Sequence, residues 1–397
     1  MVPALLDWFA ANARDLPWRR THDPYAVWVS EIMLQQTQVK TVIPFWNRWL
    51  RELPTIEAAA NAPSPKIHKL WEGLGYYTRV RNLQKAAQQI VAQQTSRRRR
   101  GDETQTKGKL ETPRVVSYKF PENFNDVLAL PGIGRYTAGA ICSIAFNQPT
   151  PILDGNVIRV LTRIFGIAEN PKEKQTNALL WKLAEELVSH AKVQRTQSKN
   201  LPAFASLAPL REENSCSYLN QSLMELGALI CTPRNPQCLI CPVKKLCVAL
   251  KENRVEELPN LGKREAATAR RFIAFTVEHK GKFLVRQRPT GVVNGHLWEF
   301  PNVEIGARLC EPQHILAEFN ALRVTDPRSE PLSPLCTVKH SITRYRITLE
   351  AFVVSLEQLP KKIDGVWKTP AQMRTLAFTS AHKKILAKLP DAAKRSG

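Results

Sequence analysis

Four of the eight cysteines fall within one segment of 17 residues. They are Cys231, Cys238, Cys241 and Cys247, separated by six, two and five residues. Prolines in this segment favour a loop over a regular helix. Four thiolates that converge from a loop can bind a tetrahedral zinc ion or an iron–sulfur cluster, and the spacing alone does not distinguish the two. Because the chain shows no secretory signal, disulfides fit poorly and we expect a shared inorganic centre.

Two carboxylates have surroundings suited to acid–base or electrostatic chemistry. In a predicted helix, Glu31 has Val27, Trp28 and Leu34 three and four residues away. Apolar neighbours raise the pKa of a carboxyl group, as a general acid at neutral pH requires, and the alternative is an exposed Glu at a helix rim. Asp154 is expected to be a helix N-cap that stays ionised. An anion there can stabilise a cationic sugar or act as a nucleophile, and helix geometry does not choose between these roles.

A glycine hairpin, Leu130-Pro-Gly132-Ile-Gly134, lies between two apolar helical segments. Glycine allows close approach of the backbone, and the next helix presents free N–H groups to an anion. This is typical of a helix-hairpin-helix that binds DNA phosphate, although a plain helical turn has the same pattern. The 57 Lys and Arg against 35 Asp and Glu give a net charge of +22, which favours a polyanionic partner.

Helical periodicity extends to residue 250, which predicts an all-α catalytic region over 1–250. Within it we expect the helix-hairpin-helix at about 124–146 and a cluster domain from residues 1–22 and 147–250. Two polar segments are predicted to be surface insertions, the first of them disordered, at about 95–119 and 192–215. The predicted helices cover about 23–37, 38–52, 55–60, 65–72, 79–93, 136–146, 154–166, 173–190 and 217–230.

An alternating pattern replaces the helical one after a charged linker at 251–269. It predicts an α+β domain over 270–390, with a β-hairpin that turns at Lys280-Gly281 and a strand over 344–354. Helices are expected near 312–319 and 380–388. Since the chain has neither a long apolar run nor a signal-peptide pattern, we expect a cytoplasmic protein (bacterial cytosol or nucleoid) with no membrane partner. The remaining thiols are expected to be buried or to have no functional role: Cys142, Cys216, Cys310 and Cys336.

Together these motifs resemble the helix-hairpin-helix DNA glycosylases that carry an iron–sulfur cluster, and within them the MutY-type adenine DNA glycosylases. The resemblance covers most of the chain, including Trp28-Val-Ser-Glu-Ile-Met-Leu-Gln-Gln-Thr37, Trp71-Glu-Gly-Leu-Gly-Tyr-Tyr77 and Leu153-Asp-Gly-Asn-Val157. It implies a monomeric enzyme that excises adenine mispaired with 8-oxoguanine or guanine in double-stranded DNA. It also implies a [4Fe–4S] cluster on the four cysteines.

The resemblance also implies catalytic roles. Glu31 matches the general acid that protonates adenine at N7, and Asp154 matches the carboxylate that stabilises the oxocarbenium ion. Tyr136 matches a tyrosine that supports the resulting intermediate. Endonuclease III-type enzymes, which also cut the strand, carry a lysine at this position; a tyrosine cannot form a Schiff base, so little or no strand cleavage is expected. A non-catalytic iron–sulfur DNA-binding protein is the alternative from another class.

DNA-contacting positions follow from the same resemblance. Gln36 and Tyr76 match residues that wedge into the duplex. The hairpin glycines Gly132 and Gly134 match residues that bind DNA phosphate. Positions that line the adenine pocket are matched by Arg19, Thr37 and Gln221.

The last domain resembles a Nudix fold through Gly295-His-Leu-Trp-Glu-Phe-Pro301. The stretch 306–320 lacks the glutamate run that holds magnesium, so we expect binding and not hydrolysis of a nucleotide. In MutY-type enzymes a Phe-Ser-His segment of this domain inspects the oxidised guanine. The matching residues here are Ile342, Thr343 and Arg344, of which Thr343 keeps the hydroxyl group and Arg344 can donate to a purine edge.

Overall fold

The chain forms two compact units, one helical and one built on a mixed sheet. In the computed structural model of the protein, the described residues are 1–102, 118–198, 215–262, 266–305, 334–342, 344–356 and 364–389. The first unit contains Met1–Ala62 and Arg81–Arg264, and the second contains Pro63–Val80 and Glu265–Gly397. Segment 63–80, which the sequence analysis assigned to the catalytic region, therefore groups with the sheet. In the described part of the chain, no helix is both long enough and apolar enough to span a membrane.

The helices are numbered in chain order, and α5 and the first residues of α6 belong to the second unit. They are α1 (Val2–Asn12), α2 (Pro24–Leu34), α3 (Val39–Glu52), α4 (Ile56–Asn61), α5 (Ser64–Trp71), α6 (Thr78–Asp102), α7 (Phe124–Leu128), α8 (Arg135–Phe146), α9 (Gly155–Phe165), α10 (Lys174–Ser198), α11 (Ser215–Leu229) and α12 (Val248–Lys251). Short 3-10 turns occur at Pro17–Arg19, Cys238–Ile240 and Lys244–Leu246.

Helix α2 lies in the core of the first unit. Asp23 is its N-cap and accepts hydrogen bonds from the next two backbone N–H groups, while Pro24 occupies the first turn, as predicted. Every residue from Tyr25 to Met33 is buried, which is typical of a helix packed on all sides. The helix was predicted to reach Thr37, but it ends at Leu34 because Gln36 has a left-handed φ of 57°.

Two helices continue into the predicted insertions. Helix α6 extends to Asp102 and α10 to Ser198, so the prediction of disorder from residue 95 is wrong for the first part of that segment. No glycine or proline interrupts residues 78–100 or 186–198, and Gln, Arg and Ala there favour helix. Residues 103–117 and 199–214 lie outside the described residues.

The second unit is a mixed sheet with the strand order β3-β2-β1-β6-β5, where β4 also pairs with β1 and β7 with β2. The strands are β1 (Thr268–His279), β2 (Lys282–Gln287), β3 (Trp298–Glu299), β4 (Asn302–Ile305), β5 (Cys336–Ile342), β6 (Tyr345–Ser355) and β7 (Val366–Lys368). β1 and β6 are parallel and the remaining pairs are antiparallel. The predicted hairpin is confirmed: His279 pairs with Lys282 across two residues of positive φ.

Apolar side chains of this sheet alternate between two faces. Ala274 on β1 packs with helices α13 (Pro370–Thr375) and α14 (Ser380–Leu386) through Phe300, Met373 and Phe378. Ile273 and Phe275, its neighbours in sequence, pack on the opposite face. The helix expected near 312–319 and the residues compared with the Nudix magnesium helix lie outside the described residues.

Candidate active site and iron–sulfur loop

A cavity of about 560 Å³ in the helical unit collects side chains from distant parts of the sequence. The turn Pro17–Arg19, helices α2, α8 and α11 and the N-terminus of α9 contribute to its wall. It brings together seven of the predicted site residues: Arg19, Glu31, Gln36, Thr37, Tyr136, Asp154 and Gln221.

Glu31 lies at the buried end of this group, with only 5% of its surface exposed. The Tyr136 hydroxyl donates a hydrogen bond of 2.8 Å to Glu31 Oε2. Burial raises the pKa of Glu31 to about 7, and the nearby negative charge of Asp154 adds to this, against the hydrogen bond from Tyr136 and the charge of Arg19. The burial inferred from its apolar neighbours is therefore present, and the carboxyl group can hold a proton at neutral pH.

Asp154 is the N-cap of α9, as predicted, and it also faces the cavity. Its Oδ1 accepts a hydrogen bond of 2.7 Å from the Val157 N–H, and its Oδ2 accepts one of 3.0 Å from Asn156 Nδ2. Burial raises the pKa of Asp154 despite these donors. The carboxylate is thus fixed in position by its own helix while it remains beside the cavity.

Tyr136 contacts the buried Glu31, to which its hydroxyl donates a hydrogen bond. Its role in supporting the reaction intermediate, which the resemblance implied, stays a prediction. Its place as the second residue of α8, directly after the hairpin, brings it to the cavity.

The sequence analysis missed an ion-pair network in the wall of the cavity. Glu225, with a side chain only 1% exposed, pairs with Arg14 at 2.7 Å and with Arg19 at 2.9 Å. Arg19 Nε also donates to Gln221 Oε1 at 3.0 Å. Burial acts to raise the pKa of Glu225, but the hydrogen bonds from the two arginines outweigh it and lower the pKa to about 2. The sequence contains an indication of this contact. Glu225 lies four residues after Gln221 in a largely apolar helix, so the two side chains lie on the same face.

The hairpin lies between α7 and α8, which confirms the predicted helix-hairpin-helix. Gly132 has a φ of 78°, and a Cβ atom there would lie 2.6 Å from the Asn82 Cβ. Gly134 is the N-cap of α8 with a φ of −96°, and a Cβ atom would meet nothing within 4 Å. The geometry therefore requires glycine at the first position and leaves the second free of steric constraint.

The four clustered thiols line a separate, small cavity between α9 and the cysteine loop (residues 231–247). Arg163, buried beside it, donates to Cys231 Sγ at 3.4 Å. Within the described residues, no three His, Cys, Asp or Glu side chains are arranged to hold a single metal ion. Four thiols around one cavity and an adjacent guanidinium suit an anionic cluster that is wider than one ion.

The other predicted DNA contacts belong to the second unit. Tyr76 has a left-handed φ of 47° and is 44% exposed. Arg344 is exposed, and its guanidinium lies 5.3 Å from the centroid of the Tyr345 ring. Thr343 lies outside the described residues.

Comparison with known proteins identifies the family. Family models match at 29–186 (HhH-GPD superfamily base excision DNA repair protein), at 231–247 (iron–sulfur binding domain of endonuclease III) and at 273–388 (NUDIX domain). A solved thermostable thymine-DNA glycosylase is 26% identical, with a TM-score of 0.48, over 63% of this chain and 95% of that one. The adenine DNA glycosylase of Rattus norvegicus is 33% identical over 96% of this chain and 76% of its own length. That of Homo sapiens is 31% identical over 96% and 72%.

The chain belongs to the adenine DNA glycosylase family. It is a DNA N-glycosylase that binds DNA and excises adenine in base excision repair, and it carries a [4Fe–4S] cluster. The iron–sulfur model begins and ends at the first and last of the four clustered cysteines, which resolves the choice between zinc and iron–sulfur that the spacing left open. The predicted fold class, an all-α helix-hairpin-helix region followed by a Nudix-like domain, is confirmed.

Proposed function

We propose that this adenine DNA glycosylase acts on adenine opposite 8-oxoguanine or guanine and leaves the DNA strand uncut. The observation that carries the proposal is the pairing of a protonatable Glu31 with a fixed Asp154 in one cavity. Base release needs an acid for the leaving base and an anion for the sugar it leaves behind. Burial raises the pKa of both carboxyl groups, but Asp154 accepts two hydrogen bonds from its own helix that favour its charged form, whereas Glu31 accepts one from Tyr136.

Glu31 is the general acid in this mechanism. Because the N-glycosidic bond is unreachable inside a stacked duplex, adenine first enters the cavity by base flipping. The Glu31 proton passes to N7 of adenine, so the base departs neutral when the bond to C1′ breaks. Tyr136 orients the Glu31 carboxyl group through its 2.8 Å hydrogen bond.

Asp154 stabilises the oxocarbenium ion that forms at C1′. Its two hydrogen bonds from α9 keep it in place, so no reorganisation is needed when the positive charge develops. Water then adds to C1′ and gives up a proton to the ionised Glu31, which restores the acid and completes the hydrolysis.

Adenine is recognised by the polar wall of the same cavity. Arg19 donates a hydrogen bond to Gln221 and forms an ion pair with Glu225, which gives Arg19 and Gln221 a fixed orientation toward a flipped base. Thr37 adds a hydroxyl group to this wall. Gln36 and Tyr76, both with left-handed backbone, act as wedges in the duplex.

We assign recognition of the opposite base to Thr343 and Arg344 of the Nudix-like domain. Two facts support this assignment: the relatives are adenine DNA glycosylases, and an arginine side chain can donate hydrogen bonds to a purine edge.

The test is a glycosylase assay on duplexes with adenine opposite 8-oxoguanine, guanine, cytosine or thymine. Release from only the first two is expected, and equal release from all four refutes the proposal. Arg344→Ala should reduce the preference for 8-oxoguanine over guanine, whereas Arg346→Ala, a nearby exposed arginine, should not.

The strand stays intact because Tyr136 replaces the lysine that lyases of this superfamily use. The product strand should therefore break only after treatment with base or heat. Efficient cleavage by the untreated enzyme would contradict this part of the proposal.

The [4Fe–4S] cluster is assigned to Cys231, Cys238, Cys241 and Cys247, which line one cavity. When bound, it supplies cross-links between parts of the loop and no acid–base chemistry. We further propose that the enzyme is a cytoplasmic monomer, in keeping with a DNA substrate and reduced thiols. Sedimentation at several concentrations tests the monomer.

A further inference from the structure

Helix α5 and the loop after it join an exposed aromatic side chain to the core of the Nudix-like domain. The HhH-GPD family model includes this segment, yet Pro63–Val80 groups structurally with the C-terminal residues. The contact that explains the grouping is centred on Glu72, directly after α5.

The Glu72 carboxylate is buried and accepts hydrogen bonds from three donors. Its Oε1 accepts the Phe378 N–H at 3.0 Å, and its Oε2 accepts Lys383 Nζ at 2.8 Å and Lys69 Nζ at 2.9 Å. Lys69 Nζ also donates to the Leu376 carbonyl at 3.0 Å. Burial acts to raise the pKa of Glu72, but these donors outweigh it and lower the pKa. The charged form therefore connects two segments that are some 300 residues apart in sequence.

The domain side of this contact is rigid. Phe378 is fully buried in the core that also contains Phe300 and Met373. On either side of Phe378, Trp298 N–H donates to the Ala377 carbonyl at 2.9 Å, and the Thr379 N–H donates to the Trp298 carbonyl at 3.1 Å.

The loop side is equally constrained. Gly73, Gly75 and Tyr76 have φ values of 117°, 70° and 47°. Trp71 Nε1 donates to the Gly75 carbonyl at 3.0 Å, and Arg79 Nη2 donates to the same carbonyl at 3.1 Å. The Arg79 guanidinium also lies over the rings of Trp71 and Tyr76. Little freedom is left between Glu72 and the exposed Tyr76, so the position of one constrains the other.

We propose that Glu72 is a positioning residue that fastens the Tyr76 loop to the Nudix-like domain and so fixes the wedge in the duplex. The inference rests on the wedge function proposed above for Tyr76. It predicts that loss of Glu72 and loss of Tyr76 affect the same step, which is local unstacking of the duplex.

A double-mutant cycle tests this, using Glu72→Ala, Tyr76→Ala and the pair. The duplex carries 2′-fluoro-deoxyadenosine, whose electron-withdrawing fluorine suppresses cleavage, opposite 8-oxoguanine, with 2-aminopurine beside the 8-oxoguanine to report unstacking by fluorescence. Each single variant should bind roughly tenfold more weakly and lose the fluorescence rise. The double variant should bind no more weakly than Tyr76→Ala alone, because Glu72 acts only through the position of the Tyr76 side chain.

Additive losses, or a full fluorescence rise in Glu72→Ala, would overturn the inference. Glu350→Ala is the matched control, since it removes an ion pair with Arg271 elsewhere in the same unit and should leave both signals unchanged. If Glu72→Ala does not fold, Glu72→Gln gives the same cycle, because it keeps an acceptor for the Phe378 N–H but loses the charge. Failure of the wild-type enzyme to release adenine from the ordinary duplex would refute the proposed function instead, and is measured separately.

Discussion

The substitution Glu31→Gln removes the proposed general acid and leaves the size of the side chain nearly unchanged. Glutamine keeps the size of the side chain and an oxygen that accepts the Tyr136 hydroxyl hydrogen bond. Its amide protons are far too weakly acidic to protonate adenine. Duplex binding should therefore remain, while adenine release falls by about a hundredfold to ten-thousandfold, the usual contribution of a general acid.

The pKa of Glu31 also sets the pH dependence. A pKa of about 7 leaves about nine-tenths of the enzyme protonated at pH 6 and about one-tenth at pH 8. The single-turnover rate of the wild type should thus be level in acid and fall about tenfold per pH unit above neutrality. The Glu31→Gln variant should lack this limb.

The same carboxyl group destabilises the fold at high pH. A folded-state pKa above the unfolded value means that the native protein retains a proton which the unfolded chain releases, so stability declines as pH rises from 4.5 to about 7. The full difference corresponds to about 3 kcal/mol. Near pH 8 the variant should therefore be more stable than the wild type by an amount of this order, and the gain should vanish as pH falls toward the unfolded pKa.

The assays are single-turnover excision across the pH range and denaturant unfolding at each end of it. Glu186→Gln is the control, because it makes the same substitution at a side chain that is 54% exposed. Release by Glu31→Gln within tenfold of the wild type, or a wild-type rate that climbs above pH 7, would refute the general-acid assignment.

Three further changes probe other parts of the molecule. Tyr136→Phe removes a hydrogen bond that lowers the pKa of Glu31, so the falling limb of the pH–rate profile should move to higher pH. Glu225→Gln leaves Arg19 without its buried charge partner, and should cost about 3 kcal/mol in urea unfolding and weaken adenine binding. Neutralising the basic side chains of the cysteine loop should weaken binding to any duplex and flatten the salt dependence by about 0.9 in log–log slope per lost phosphate contact, as measured by titration at several salt concentrations. Those side chains are Arg234, Lys244 and Lys245.

The parts of the site that sequence predicts well are those with local causes. Asp154 caps a helix because of its position, and Glu31 is buried because its helical neighbours are apolar; both facts can be read within one or two turns of helix. The contacts of Tyr136 and Glu225 depend on packing between segments that are distant in sequence, so the sequence pattern predicted Tyr136 without its partner and did not predict Glu225 at all. Glu72 was likewise not predicted, because two of its three hydrogen-bond donors, Phe378 and Lys383, follow some 300 residues later.

Hydrogen bonds connect the cysteine loop to Asp154, to which we assign stabilisation of the sugar cation. Arg159 Nε donates to the Cys231 carbonyl at 2.7 Å, and its Nη2 donates to Asn156 Oδ1 at 2.9 Å. Asn156 in turn donates to Asp154 at 3.0 Å. The loop therefore supports the arginine that holds Asn156, and Asn156 helps to fix the Asp154 carboxylate. Cys231 can thus influence the proposed chemistry without contacting the substrate, because its carbonyl holds the arginine that orients Asn156 and, through Asn156, Asp154.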